Sequence, residues 1–326
     1  MQCRSALPFI ALALSLTACG GDKGSSPPPP DNPPPTGTPT PTPPPISYTK
    51  FADLTGNQSF DSACAGSFNA NEPLLSSGFG SYPDSYASLN IDYVAATQTY
   101  TVEGGTDVQF SYSFGPGDLD ANSSASSILY RKVDGNGFTT RFGIGARSLG
   151  GTMPEYVRTA RLFARPSSSV SDLYCVFGVP TQLNDALPAT TISYASFALM
   201  GNMFVRSGDL AGQYDLGEST VTMTANPTNG EIRTRMTLIG RRFEQGGLSQ
   251  TRTPLGVYLG EASIDGSQAS FVGGVFGDDR AVGASNFGGW FFGPSGREAG
   301  YAFALTAFTP DASDEMLATG AVIARR

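Results

Sequence analysis

Few residues of this chain are equipped for chemistry, and one type is missing: histidine does not occur among the 326 residues. That excludes Ser-His-Asp and Cys-His catalysis, histidine-held zinc and histidine-ligated haem. Two carboxylates stand together at Asp278-Asp279, followed by Arg280. Such a pair can divide acid and base roles, but its setting between alternating runs reads better as a solvated turn. Asp118-Leu119-Asp120-Ala121-Asn122 has the opening spacing of a calcium-binding EF-hand loop, yet its sixth position is Ser123 rather than Gly and its twelfth is Leu129 rather than Glu. A polar loop is the better reading. Gly143-Ile144-Gly145 lacks the third glycine of a dinucleotide fingerprint, and no G-x-S-x-G occurs. Arg241-Arg242 could grip an anionic partner, though a surface strand end explains it as well. No catalytic residue, cofactor or metal ligand is assigned, and the chain is read as a non-enzyme.

The cysteines carry more. Arg4 opens a thin basic region, Ala6 to Ala18 is apolar apart from Pro8, Ser15 and Thr17, and Leu16-Thr17-Ala18-Cys19 matches the lipobox of bacterial lipoproteins. Residues 1–18 are therefore expected to be a signal peptide and Cys19 the acylated first residue of the mature chain. The alternative is an ordinary secretory signal with an incidental cysteine. Gly20 rather than Asp follows Cys19, so no inner-membrane retention signal is present. Residues 19–46 read as a disordered tether, since twelve prolines lie between Pro27 and Pro45. Extended polyproline II at ~3.1 Å per residue over about 25 residues reaches on the order of 70 to 80 Å. Cys64 and Cys175 are the cysteines left beyond Cys19; in an exported chain a disulfide is the simplest reading. A free thiol is the rival, but neither has a neighbouring cation to favour thiolate.

The elements that must position these residues are strands. Charged residues are only 15%, Gly numbers 40, and the net charge of −8 opposes nucleic-acid binding. Period-2 alternation predicts strands at 98–103, 107–114, 127–133, 138–144, 156–163 and 173–179, with Asp134-Gly135-Asn136-Gly137 as a hairpin turn. It continues at 190–199, 220–225, 232–238, 255–259, 261–264, 269–276 and 318–324. Between 286 and 305, Phe287, Trp290, Phe291 and Phe292 lead into the Gly293-Pro294-Ser295-Gly296 turn, and Tyr301, Phe303 and Leu305 lead out. Bulk alternating with Gly and Ala predicts one heavy face and one light face, suited to a small closed barrel. These aromatics could line a ligand cavity, with packed core as the default reading.

That closing stretch carries a resemblance. Phe292, Gly293, Pro294, Glu298, Gly300, Tyr301 and Phe303, with the terminal Arg325 and Arg326, resemble the last strands of the β-barrel domain of transferrin-binding protein B. Val176 to Thr181, then Leu187-Pro188 and a strand through Tyr194, resemble the approach to that barrel. The resemblance spans roughly residues 175–326. It implies an all-β chain: a smaller β-rich handle-like region at 47–187, then an antiparallel barrel of eight strands at 188–326 whose interior holds side chains.

The resemblance also implies a role: a lipoprotein of the bacterial outer membrane, exposed at the cell surface, that captures a protein or an iron source. Its partners would be the membrane through the lipid, an outer-membrane transporter or surface-lipoprotein translocator, and an unidentified protein or small-molecule ligand. The chain has room for one lobe, and transferrin binding is not assigned. A structural lipoprotein, or one sheltering a small apolar molecule, is the alternative.

Overall fold

The computed structural model describes residues 46–60, 62–67, 89–104, 110–164, 171–266, 269–310 and 314–326. The expected signal peptide, Cys19 and all of the expected proline-rich tether but Ile46 lie outside the described residues. Within them every regular element is a strand or a short 3₁₀ turn. The first nine strands are β1 (Gln58–Phe60), β2 (Ser62–Ser67), β3 (Leu89–Val94), β4 (Thr99–Gly104), β5 (Phe110–Phe114), β6 (Ser127–Val133), β7 (Thr139–Gly145), β8 (Val157–Ala164) and β9 (Ser171–Gly178). They form two antiparallel sheets, an outer one in the order β1-β3-β4-β5 and a middle one in the order β2-β9-β8-β7-β6.

The middle sheet is covered on both faces where β2, β9 and β8 lie. Leu173, Cys175 and Phe177 pack toward the outer sheet with Phe60, Ile91 and Phe114. Tyr174 and Val176 point the other way, with Ala63, Ala65 and Val157. This explains why Leu173 to Val179 is an unbroken apolar run: a strand buried on both faces has no wet side to encode. Cys64 and Cys175 are register partners on β2 and β9 and form the expected disulfide.

The remaining strands are β10 (Ile192–Tyr194), β11 (Ser196–Val205), β12 (Gly212–Asp215), β13 (Thr220–Asn226), β14 (Glu231–Glu244), β15 (Gly247–Asp265), β16 (Ser270–Gly277), β17 (Asn286–Phe292), β18 (Glu298–Phe308) and β19 (Glu315–Arg325). β10 and β11 are one strand broken at Ala195, and β12 and β13 one strand broken between Leu216 and Ser219. The register is unchanged across the break: Ile192 faces Ala225 and Asn202 faces Asp215, while the Leu216 N–H bonds the Gly201 carbonyl at 3.0 Å. Counted so, eight strands meander in order, and β11 pairs β19 from Ser196–Arg325 to Val205–Met316 to close the ring. The eight-stranded antiparallel barrel is therefore present.

Several local expectations are corrected. The strand expected at 190–199 starts at Ile192 and breaks at Ala195; β12 and β1 to β3 had no sequence expectation. Leu255–Leu259 and Glu261–Ile264 belong to one strand, β15, which with β14 makes a long arm bent by register shifts after Leu238 and Arg241. The expectation of one heavy and one light face fails on β17. Phe287 and Phe291 point inward, whereas Trp290 and Phe292 point out against the middle sheet. On β18 it holds: Tyr301, Phe303 and Leu305 fill the barrel, and Gly300 and Ala302 leave its outer wall thin. The wall is thin there because another layer lies on it, a reason that periodicity cannot display.

Candidate functional site

Most of the residues carrying the family resemblance form the seam between barrel and middle sheet, while Tyr301 and Phe303 point into the barrel. Glu298 is fully buried. Its Oε1 accepts the Glu155 N–H at 2.7 Å, and its Oε2 accepts those of Tyr156 and Val157 at 2.8 and 2.9 Å. Gly293 sits at φ 68°, where a Cβ would lie 2.3 Å from the Tyr156 ring. A Cβ on Gly300 would meet Val176 at 3.1 Å. Pro180 bridges Phe292, and Pro294 starts the tight turn. Asp185 pins that turn, accepting from Ser295 N–H at 2.6 Å, Ser295 Oγ at 3.0 Å and Tyr48 Oη at 2.7 Å. Burial opposes charge on Asp185, but the Ser295 N–H and the two hydroxyls hold its carboxyl below the usual range. The Arg326 Nη2 closes the turn onto the Ser295 carbonyl at 2.7 Å. These residues hold layers together; Tyr301 and Phe303 instead fill the barrel interior.

The barrel interior is occupied by its own side chains. Phe271, Phe287, Phe291 and Tyr301 pack with ring centroids 5.3 to 6.4 Å apart. The Tyr301 hydroxyl meets Thr234 Oγ1 at 2.8 Å, and burial pushes its pKa well up. Packed core, not a cavity wall, is what these aromatics make.

The other chemistry-bearing motifs are spent on structure. Asp278 pairs with Arg235 at 2.7 Å, and Asp279 accepts the Val257 N–H at 2.7 Å. Asp118 accepts the Gly115 N–H at 3.0 Å, while Asp120 accepts both the main-chain and side-chain N–H of Asn122 at 2.9 and 2.8 Å. Arg241 donates to the Ser249 carbonyl at 2.6 Å, while Arg242, the register partner of Tyr214, keeps an exposed side chain at the strand end. Among the described residues no three His, Cys, Asp or Glu side chains gather to hold a metal.

What the fold leaves open is a cleft. The barrel covers β2 and β9, but the same face of the middle sheet runs on past β8 to β7 and β6. A space of 1120 Å³ opens there, walled on the sheet side by Leu129, Arg131, Arg141 and Phe163 and on the barrel side by Met200, Gln213 and Phe243. Arg131 and Arg141 are direct cross-strand partners, and Arg141 in turn faces Phe163 on β8. Deeper in, Asp172 is buried and accepts from Arg161 Nε and Nη2 at 2.8 Å each, from Asn202 Nδ2 of the barrel at 3.0 Å and from Tyr174 Oη at 3.3 Å. That network neutralises Arg161 and ties β9 to β11. Arg147, further along the wall, donates to the Leu199 carbonyl at 3.1 Å. A second recess of 270 Å³ lies between outer and middle sheets, where Arg158 stacks over Phe51 at 4.5 Å beside Tyr93 and Tyr100. Burial pushes the Tyr100 pKa up to about 12.

Sequence reasoning missed both recesses. One signal was available: the Asp134 to Gly137 turn sets the β6–β7 register, and that register puts Arg131 opposite Arg141.

Neither a protein-family model nor a curated protein sequence matches this chain. Solved structures do. A double mutant of transferrin binding protein B from Haemophilus parasuis Hp5 is similar at TM-score 0.41 and 11% identity, over 76% of this chain and 53% of that one. Intact Ap-TbpB, with its N and C lobes, is similar at TM-score 0.40 and 12% identity, over 84% of this chain and 61% of that one. HpuA from Kingella denitrificans, solved in complex with human haemoglobin, is similar at TM-score 0.35 and 13% identity, over 86% of this chain and 91% of that one. The chain spans about half the length of the first of these; its similarity to them is one of fold.

Proposed function

We propose that this chain is a lipoprotein of the bacterial outer membrane, acylated at Cys19 and displayed at the cell surface, that binds a partner without catalysing a reaction. The observation that carries this reading is the cleft between the middle sheet and the barrel, an open concave surface in a body whose barrel interior is already filled. A filled barrel favours a ligand taken on the outside over a small apolar molecule sheltered within. The missing histidine and the engagement of every candidate carboxylate pair in structural bonds support a binding role. The lipobox and proline tether support a body held clear of a membrane. The resemblance adds the class of cargo, a host or environmental protein that serves as an iron source, handed to an outer-membrane transporter after export by a surface-lipoprotein translocator. Residues 47–187 and 188–326 are the two parts, handle and barrel.

Protease shaving of intact cells followed by mass spectrometry tests the display. Peptides from residues 47–326 are expected in the shaved fraction and are expected to vanish from the membrane fraction in Cys19→Ala. Full protection of those residues in intact cells overturns surface capture. An affinity pulldown with the tethered protein, from cells grown under iron limitation, then reads the partner; a partner unrelated to iron removes the nutrient part of the reading.

A further inference from the structure

We infer that the cleft beside β6 and β7 is a docking groove for an acidic, partly apolar polypeptide segment, with Arg131 and Arg141 as its anion clamp. The inference rests on the reading of the chain as a binding protein and names the chemistry of what that site takes.

The pair is costly to the fold alone. Like charges placed directly opposite on adjacent strands destabilise a sheet, and Arg131 and Arg141 are such partners. Neither takes part in an ion pair within 4.0 Å among the described residues, whereas Arg161 in the next row is matched by Asp172. Asp120 is the nearby carboxylate. The Asn122 hydrogen bonds hold its pKa down, with Arg131 and Arg141 adding to the effect, but one anion faces two guanidinium groups. The cleft thus holds four arginines, at 131, 141, 147 and 161, against Asp120 and Asp172. This is a positive recess in a chain of net charge −8. Destabilising charge gathered at an open concave surface is the pattern of a binding site rather than of a scaffold.

The remaining walls select the ligand class. Met153 and Phe243 are 42% and 44% exposed at the margins, and Leu129 and Phe163 lie beside the clamp. An occupant therefore needs apolar side chains as well as carboxylates. The volume of 1120 Å³ lies near the upper end of the roughly 300–1,000 Å³ typical of small-molecule pockets and has room for a chain segment. Arg131 and Arg141 are exposed, but they stand on one wall of a cleft faced by Met200, Gln213 and Phe243, a concave surface that a flat anionic membrane fits poorly. A nucleic acid would be repelled by the rest of an acidic protein.

The test is fluorescence anisotropy with the full-length protein in detergent. The probe is a fluorescein-labelled peptide of alternating Glu and Leu, about twelve residues long, matched by a Lys-and-Leu peptide of equal length. The acidic peptide is expected to bind and to weaken with added salt; the basic peptide is expected not to bind. Arg141→Glu turns the repulsive pair into an attractive one, so it should raise the unfolding midpoint while weakening the acidic peptide at least about tenfold. Arg131→Gln, which adds no charge, should weaken binding by a smaller factor without lowering the midpoint. Unchanged affinity in both variants overturns the clamp, as does equal binding of the basic peptide. Binding of phosphatidylglycerol vesicles in place of the peptide overturns it in favour of a lipid surface. Loss of the groove with surface display and partner capture intact would leave the proposed function standing; a protein protected inside intact cells would sink that function whatever the peptide does.

Discussion

The carboxylate of Glu298, on the barrel, accepts the main-chain N–H of Val157, on the middle sheet, at 2.9 Å. The same side chain takes the N–H groups of Glu155 and Tyr156. One residue therefore satisfies three donors at the start of β8, and it does so across two layers. Glu298→Ala leaves the buried Tyr156 and Val157 donors, and the half-buried Glu155 one, without an acceptor, each buried one costing ≈1–3 kcal/mol. A loss of about 3 kcal/mol or more is expected, read as a lower urea midpoint. Glu298→Gln keeps one acceptor oxygen and should lose less. Equal midpoints for Glu298→Ala and the native chain would contradict the role.

Gly293 and Gly230 separate strain from collision. Both have positive φ, at 68° and 67°, but a Cβ on Gly230 meets nothing within 4 Å while one on Gly293 meets Tyr156. Gly230→Ala should cost about 1 kcal/mol from backbone strain alone. Gly293→Ala should cost clearly more, because the ring must move out of the seam. Thermal unfolding of the two variants side by side checks the difference.

The Cys64–Cys175 bridge spans a sequence separation of 111. In the chain-entropy account a loop of that size is worth about 4–5 kcal/mol. The double variant Cys64→Ala, Cys175→Ala should unfold at a lower denaturant concentration by that amount, and a reductant should have no effect on it. The native chain in reductant should fall toward the variant.

Acid sensitivity should concentrate at the seam. The Lys50 hydrogen bond, with Arg297 adding to it, holds the Glu155 carboxyl below its ordinary value, and the partners of Asp185 lower that group too. A carboxyl lowered in the folded state stabilises the fold above its ordinary pKa of about 4, and the contribution fades as pH falls through the lowered value. The unfolding midpoint should hold near neutrality and drop below about pH 4. Asp185→Asn should start lower at pH 7 and drop less on acidification; an identical pH profile would refute the assignment.

Much of the architecture was legible in the residues themselves. Alternation named most strands, Asp134 to Gly137 named a hairpin, and Trp290 to Phe303 named a barrel hairpin. Each of these depends on neighbours in sequence. The absence of histidine bounded the chemistry from the residues alone. The identity of the inside required the closed ring. Trp290 and Phe291 are adjacent and equally apolar, yet one packs against the middle sheet and the other fills the barrel. Period-2 patterning separates two faces but cannot say which is covered by a second layer. Nor could it show that Glu298 would reach residues some 140 positions earlier, or that Arg131 and Arg141 would lie where the barrel no longer shields the sheet. Those are long-range contacts, set by how layers of fixed thickness stack, and only the tertiary structure decides them.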